Sequence, residues 1–230
     1  MAKSDSRDQI IELLANKSVT KYQVYDNTLS TFEIMKTILK EIAEEAKAEL
    51  LKQSINIPVE YTERGKYEIE LKVAGDLLLF SMHSNIFEFP KAHAVMQTGY
   101  VKQNTLRSYC GSISIYNFLA DSFKYNRIND VGYLIGRVFI NSDSHFIVEG
   151  KQKLGFLFND FANQKIDKEA LTKIIESALK YAIEFDLLVP PFEKVKIVSV
   201  QEMNNITSSV SLKTGKRLGF NYKAGSLDTK

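Results

Sequence analysis

The sequence predicts an α+β fold: a largely antiparallel β-sheet of about seven to ten strands, arranged in meanders and packed against two long helices. Three patterns carry that expectation. Leu171, Ile174, Ile175, Ala178, Leu179, Ala182 and Ile183 recur at helical spacing and draw one apolar stripe. Phe32, Met35, Leu39, Ile42 and Ala46 do the same earlier in the chain. Between them, Tyr67, Ile69, Leu71 and Val73 alternate with Glu68, Glu70 and Lys72, the period of a half-buried strand.

Taken in order, residues 5–15 read as a short amphipathic helix with Ile10, Leu13 and Leu14 on one side, and 19–27 as a connector or short strand. The first long helix is expected over 31–53, with Ser30 and Glu33 at capping-box spacing. Its seam suits a helix lying on a sheet. The heptad spacing also suits pairing with its own copy, a homodimer through residues 31–53.

After Pro58 the period changes. Val59 to Glu63 reads as the hairpin partner of Tyr67 to Val73 across Arg64-Gly65. A turn at Gly75-Asp76 leads into a central strand over Leu77 to His83, and Ile86 to Phe89 follows, closed by Pro90. Residues 91–110 are the least periodic part: a short strand near Ala94 to Val101, or mostly loop. Over 112–125 two periods compete. Ile113 and Ile115 alternate as in a strand, whereas Ile115, Phe118, Leu119 and Phe123 space as in a helix, and the strand is preferred. Val131 to Asn141, His145 to Glu149 and Lys153 to Phe158 form a second meander.

The second long helix is expected over 167–188, with Asp167 as N-cap and Pro190 and Pro191 stopping it. Val195 to Val200 reads as a strand, and 210–213 with 216–222 as a hairpin. The economical organisation is one α+β domain over 1–230, with a helical N-terminal segment over 1–56 and a flexible tail from about 224 to 230.

Composition narrows the function classes. Lys plus Arg total 30 against 28 Asp plus Glu, so net charge makes no case for a polyanionic partner. A single cysteine excludes an internal disulfide and multi-cysteine metal clusters. No apolar run approaches the roughly 20 residues that span a bilayer, and the N-terminus lacks an apolar leader core, so no membrane is expected and the default is cytoplasmic.

Motifs for catalysis are sparse. A thiol nucleophile would be Cys110, with His83 or His93 as base; such a site must lower the thiol pKa with a nearby cation or helix N-terminus. That would make a Cys/His hydrolase-like enzyme with dispersed residues. No metal-ligand spacing and no phosphate-cradling glycine loop is present, so no metal and no cofactor is expected. In the irregular segment, His83, His93, Tyr100, Lys102, Arg107 and Tyr109 offer stacking, hydrogen bonds and charge to a small anionic, nucleotide-like ligand. Near the C-terminus, Lys213, Lys216, Arg217, Phe220 and Tyr222 interleave cations and aromatics in the manner of single-strand nucleic-acid binders. The reading that follows is a non-enzymatic module that binds a ligand or protein and acts through dimerisation. A dispersed-site enzyme and a nucleic-acid binder are the alternatives.

Overall fold

Alternating stretches pair with their neighbours into one antiparallel sheet. The computed structural model of the chain describes residues 2–128, 130–151, 153–186, 189, 191–201 and 203. The strands are β1 (Val59–Glu63), β2 (Glu68–Val73), β3 (Asp76–Met82), β4 (Phe87–Glu88), β5 (Tyr109–Leu119), β6 (Tyr133–Asn141) and β7 (Phe146–Gly150). They lie in the order β1-β2-β3-β5-β6-β7, and β4 extends the β3 row along β5. The helices are α1 (Ala2–Leu13), α2 (Val19–Lys52), α3 (Ala94–Gln97), α4 (Gly99–Gln103), α5 (Ala120–Lys124), α6 (Lys153–Leu157), α7 (Lys168–Ile183) and α8 (Phe192–Val195). A π-helical turn at Leu14–Ser18 joins α1 to α2. This is the α+β class that the periodicity predicts.

Parity sorts side chains between the two sheet faces. Ile69, Leu71, Leu78, Phe80, Ile113, Ile115, Val138 and Ile140 share one face and the main core. Phe32, Met35 and Leu39 of α2 and Leu171, Ile174 and Ala178 of α7 cover it. Fully burying side chains of this size stabilises by about 1.5–3 kcal/mol each, which is why both stripes settle on the sheet. The Phe32–Ala46 seam is therefore occupied within the chain, and a dimer using α2 would have to use its other side.

The opposite face carries Ser112, Ser114 and Tyr116 of β5 beside Arg137 and Phe139 of β6. A bulge between Ile115 and Tyr116 sets Leu134, rather than Ile135, opposite Tyr116. The segment between β3 and β5 arches over one end of this face. There Phe89, Val95, Val101, Cys110, Phe139, Ile147 and Phe161 make a second, smaller core.

Several expectations are corrected by tertiary contacts. Residues 19–27 are not a connector: they open α2, and Ser30 lies inside the helix rather than at its cap. Val24, Thr28 and Thr31 are buried there, so packing overrides the weak helix propensity of β-branched residues. Residues 94–103 form α3 and α4 rather than a strand; His93 and Thr98 cap them by accepting from the Val95 and Val101 N–H groups. Over 112–125 the preferred strand runs to Leu119 and takes in Ile115, Phe118 and Leu119 of the helix-spaced set, and only 120–124 coil, as α5. Residues 153–157 are helical, and Leu154 and Phe158, one helical turn apart, both enter the main core. α7 ends at Ile183, well before the prolines. Residues 192–195 form α8 and 197–199 are irregular, with Ile197 and Val200 exposed, so the expected 195–200 strand does not form. The expected 210–222 hairpin lies outside the described residues.

Candidate functional site

Two strands and the arch border a cavity of about 420 Å³. Its floor is the outer face of β5 and β6. A strand sends alternate side chains to one side, so Ser112, Ser114 and Tyr116 stand in a row about 7 Å apart. Register places Ser112 opposite Phe139 and Ser114 opposite Arg137, and Arg137 opposite Glu149 of β7. The arch supplies the walls through His83, Phe87, Phe89 and His93. His83 meets Phe87 edge to face at 4.8 Å, and His93 stacks on Phe89 at 4.4 Å between centroids. Phe89 in turn meets Phe139 edge to face at 5.1 Å, which seats the arch on the sheet.

The polar groups are ordered by their partners. One oxygen of Glu149 accepts from both Arg137 Nε, at 3.1 Å, and Arg137 Nη2. The other pairs with His93 Nε2 at 3.3 Å. His93 Nδ1 accepts from the Val95 N–H, so the neutral ring carries its proton on Nε2 and donates it to Glu149. Neither ring nitrogen is left to take a proton from a hydroxyl or thiol. His83 Nδ1 accepts from the Asn85 N–H at 2.9 Å, leaving its Nε2–H as a donor. The hydroxyls of Ser112 and Ser114 make no hydrogen bond among the described residues. Ser112 is only 7% exposed.

Cys110 also lines this space, with 1% of its surface exposed. Burial pushes its thiol well up, the opposite of what a thiolate nucleophile needs.

The other residues singled out in the sequence go elsewhere. Tyr100 and Arg107 are engaged in a closed network with the β6–β7 turn. Tyr100 donates to Asp143 at 2.7 Å, Arg107 Nε reaches the same oxygen at 3.0 Å, and the guanidinium lies 4.3 Å from the Tyr100 centroid. The buried Asn141 donates to Tyr100 Oη and accepts from the Asp143 and His145 N–H groups. Burial pushes the Tyr100 hydroxyl up to about 12. Burial alone would also raise the Asp143 carboxyl, but the Tyr100 hydroxyl and the Arg107 charge outweigh it and hold the carboxyl low. This network buttresses the arch and does not face the cavity. Tyr109 lies on the other sheet face, beneath Lys17 and Lys21 at 5.3 Å each. Lys102 is exposed. Lys213, Lys216, Arg217, Phe220 and Tyr222 lie outside the described residues.

Of the anticipated ligand residues, then, the structure places His83 and His93 at the cavity, and the floor comes from residues that the sequence did not flag. The alternation in Ser112-Ile113-Ser114-Ile115-Tyr116 shows that one strand face is polar, and Arg137 and Glu149 interrupt otherwise apolar strands. What covers that face is decided by the arch.

A wider groove of about 710 Å³ lies at the far end of the same face, between Arg64, Lys72, Leu77 and α5. Two of its three cations are already paired, Arg64 with Glu70 at 2.7 Å and Lys72 with Glu60 at 3.1 Å, and the third, Lys124, lies over the Tyr125 ring. Among the described residues, no group of three or more His, Cys, Asp or Glu side chains is placed to hold a metal ion. No helix among them is long and apolar enough to cross a membrane.

Fold and site together define a helix-backed antiparallel sheet with a ring-walled cavity on its outer face. No family model matches the sequence, and no curated protein or solved structure matches the chain.

Proposed function

We propose that this protein is a binding module for a small, ring-bearing molecule held between the outer sheet face and the arch. The observation that carries this is the cavity of about 420 Å³, walled by aromatic rings over a floor on which the Ser112 and Ser114 hydroxyls make no hydrogen bond among the described residues. Its size falls within the roughly 300–1,000 Å³ of small-molecule sites, which combine apolar walls with a few placed polar groups. A polar ligand group would give these hydroxyls a partner, each such hydrogen bond contributing about 0.5–1.5 kcal/mol. Binding rather than hydrolysis is favoured because His93 has both nitrogens engaged and the Cys110 thiol is held protonated. Tyr100, Arg107 and Asp143 act as the frame that holds the arch in place.

A thermal-shift screen of ring-bearing metabolites, followed by Ser114→Leu, tests the proposal. Leucine at Ser114 fills the floor with no new polar group to bury. A ligand that stabilises the native state at 100 times its Kd adds about 2.7 kcal/mol, a readily measured shift. The shift should vanish in a folded Ser114→Leu protein. Unchanged binding by that variant would refute the cavity as the site.

A further inference from the structure

The open charged group at the cavity, Arg137, names a ligand class. Ser112, Ser114 and Tyr116 bring hydroxyls, which donate or accept, and His83 brings an Nε2–H donor to the space. The carboxylate at its edge, Glu149, already has one oxygen on Arg137 and the other on His93. Glu88, also at the rim, belongs with Tyr109 on the opposite parity, where its charge acts on Lys17.

Arg137 sets the geometry. A guanidinium has five N–H groups and two usable edges. Glu149 takes the Nε–Nη2 edge side-on, and Phe139 lies under the guanidinium carbon at 5.2 Å. Nη1 makes no hydrogen bond among the described residues, and the side chain is 43% exposed. The end-on edge, Nη1 with the second hydrogen of Nη2, is therefore open, and two neighbours already hold the group that presents it. An arginine oriented by one internal carboxylate and open at its other edge is preorganised for a second carboxylate.

Resting on the binding-module reading, we infer that the ligand is a planar aromatic monocarboxylate. Its carboxylate sits on the open edge of Arg137 with Ser114 and Ser112 as further donors, and its ring sits among Phe87, Phe89 and His83. Glu149 and His93 are positioning residues, acting through Arg137. A neutral ring of the same shape meets the same walls but leaves that edge unpaired.

The test is an NMR titration of the full chain with 2-naphthoate and with 2-naphthamide, read at the His83 and His93 ring signals. The two probes share a ring system and differ in charge at the head. The acid should bind at least about tenfold more tightly than the amide, the scale of one charge-assisted bidentate contact. Arg137→Gln should bring the two to parity while leaving amide binding in place. Arg137→Lys keeps the charge but loses the fork, and should lose most of the preference. Equal affinities in the unmodified protein, or a preference that survives in Arg137→Gln, would overturn the inference and leave the cavity reading standing. The first comparison needs no variant to fold. If neither probe moves the histidine signals, the inference and the cavity reading fall together.

Discussion

Replacing Gly111 by alanine tests the seat of α2, which decides which sheet face is left open. A Cβ at that position would overlap the Thr28 hydroxyl and lie 2.8 Å from Thr28 Cβ and Cγ2. Thr28 has no easy escape, since it is wholly buried and its hydroxyl donates to the Val24 carbonyl at 2.6 Å. Overpacking of this kind costs about 1–3 kcal/mol, against which alanine returns roughly 0.4–1 kcal/mol through the unfolded chain. The net loss should be about 1–2 kcal/mol, or about 2–4 °C in Tm per kcal/mol for a protein of this size. The assay is urea or thermal unfolding of Gly111→Ala, Thr28→Ala and the double variant. Removing the threonine hydroxyl and methyl relieves most of the overlap, so alanine at 111 should cost less in the Thr28→Ala background by about 0.5 kcal/mol or more. A Gly111→Ala protein as stable as the parent, or the same cost in both backgrounds, would refute the close approach of α2 to β5.

Two further predictions concern core and charge. Met35→Glu should abolish cooperative folding, because Met35 is wholly buried in the main core and an unpaired buried charge costs several kcal/mol out of a typical 5–15; a folded monomer by circular dichroism and sizing would show that α2 does not lie on the sheet. Asp143, held low by Tyr100 and Arg107, should contribute stability that is present above the unfolded carboxyl pKa of about 4 and lost as pH falls through its lower folded value. Unfolding midpoints of the parent and Asp143→Asn should therefore differ at neutral pH and converge below about pH 4, and a gap independent of pH would count against the Tyr100–Arg107–Asp143 network.

The sequence by itself determined the fold class, because periodicity is a local property. The step-three-and-four stripe of Leu171 to Ala182 and the alternation of Ile69 and Leu71 each state which face is apolar, and the sheet with its two covering helices follows from burying those faces together. Asp167 was legible as a cap for the same reason, since the Ala170 N–H it binds is three residues away. Where local and distant demands disagreed, only tertiary structure decided. Thr28 sits in a helix because it packs against Gly111 of β5, and 153–157 coil because Leu154 and Phe158 must both reach the core. The candidate site belongs to this second kind. His83 and His93 stood out as chemistry-bearing residues in an irregular segment. Ser112, Ser114, Arg137 and Glu149 read instead as ordinary outward-facing positions on strands. They become a floor only because Phe89, Val95 and Val101 dock the arch over them, a contact between residues far apart in the chain. A strand's alternation says that a face is polar; what stands above that face is set by long-range packing.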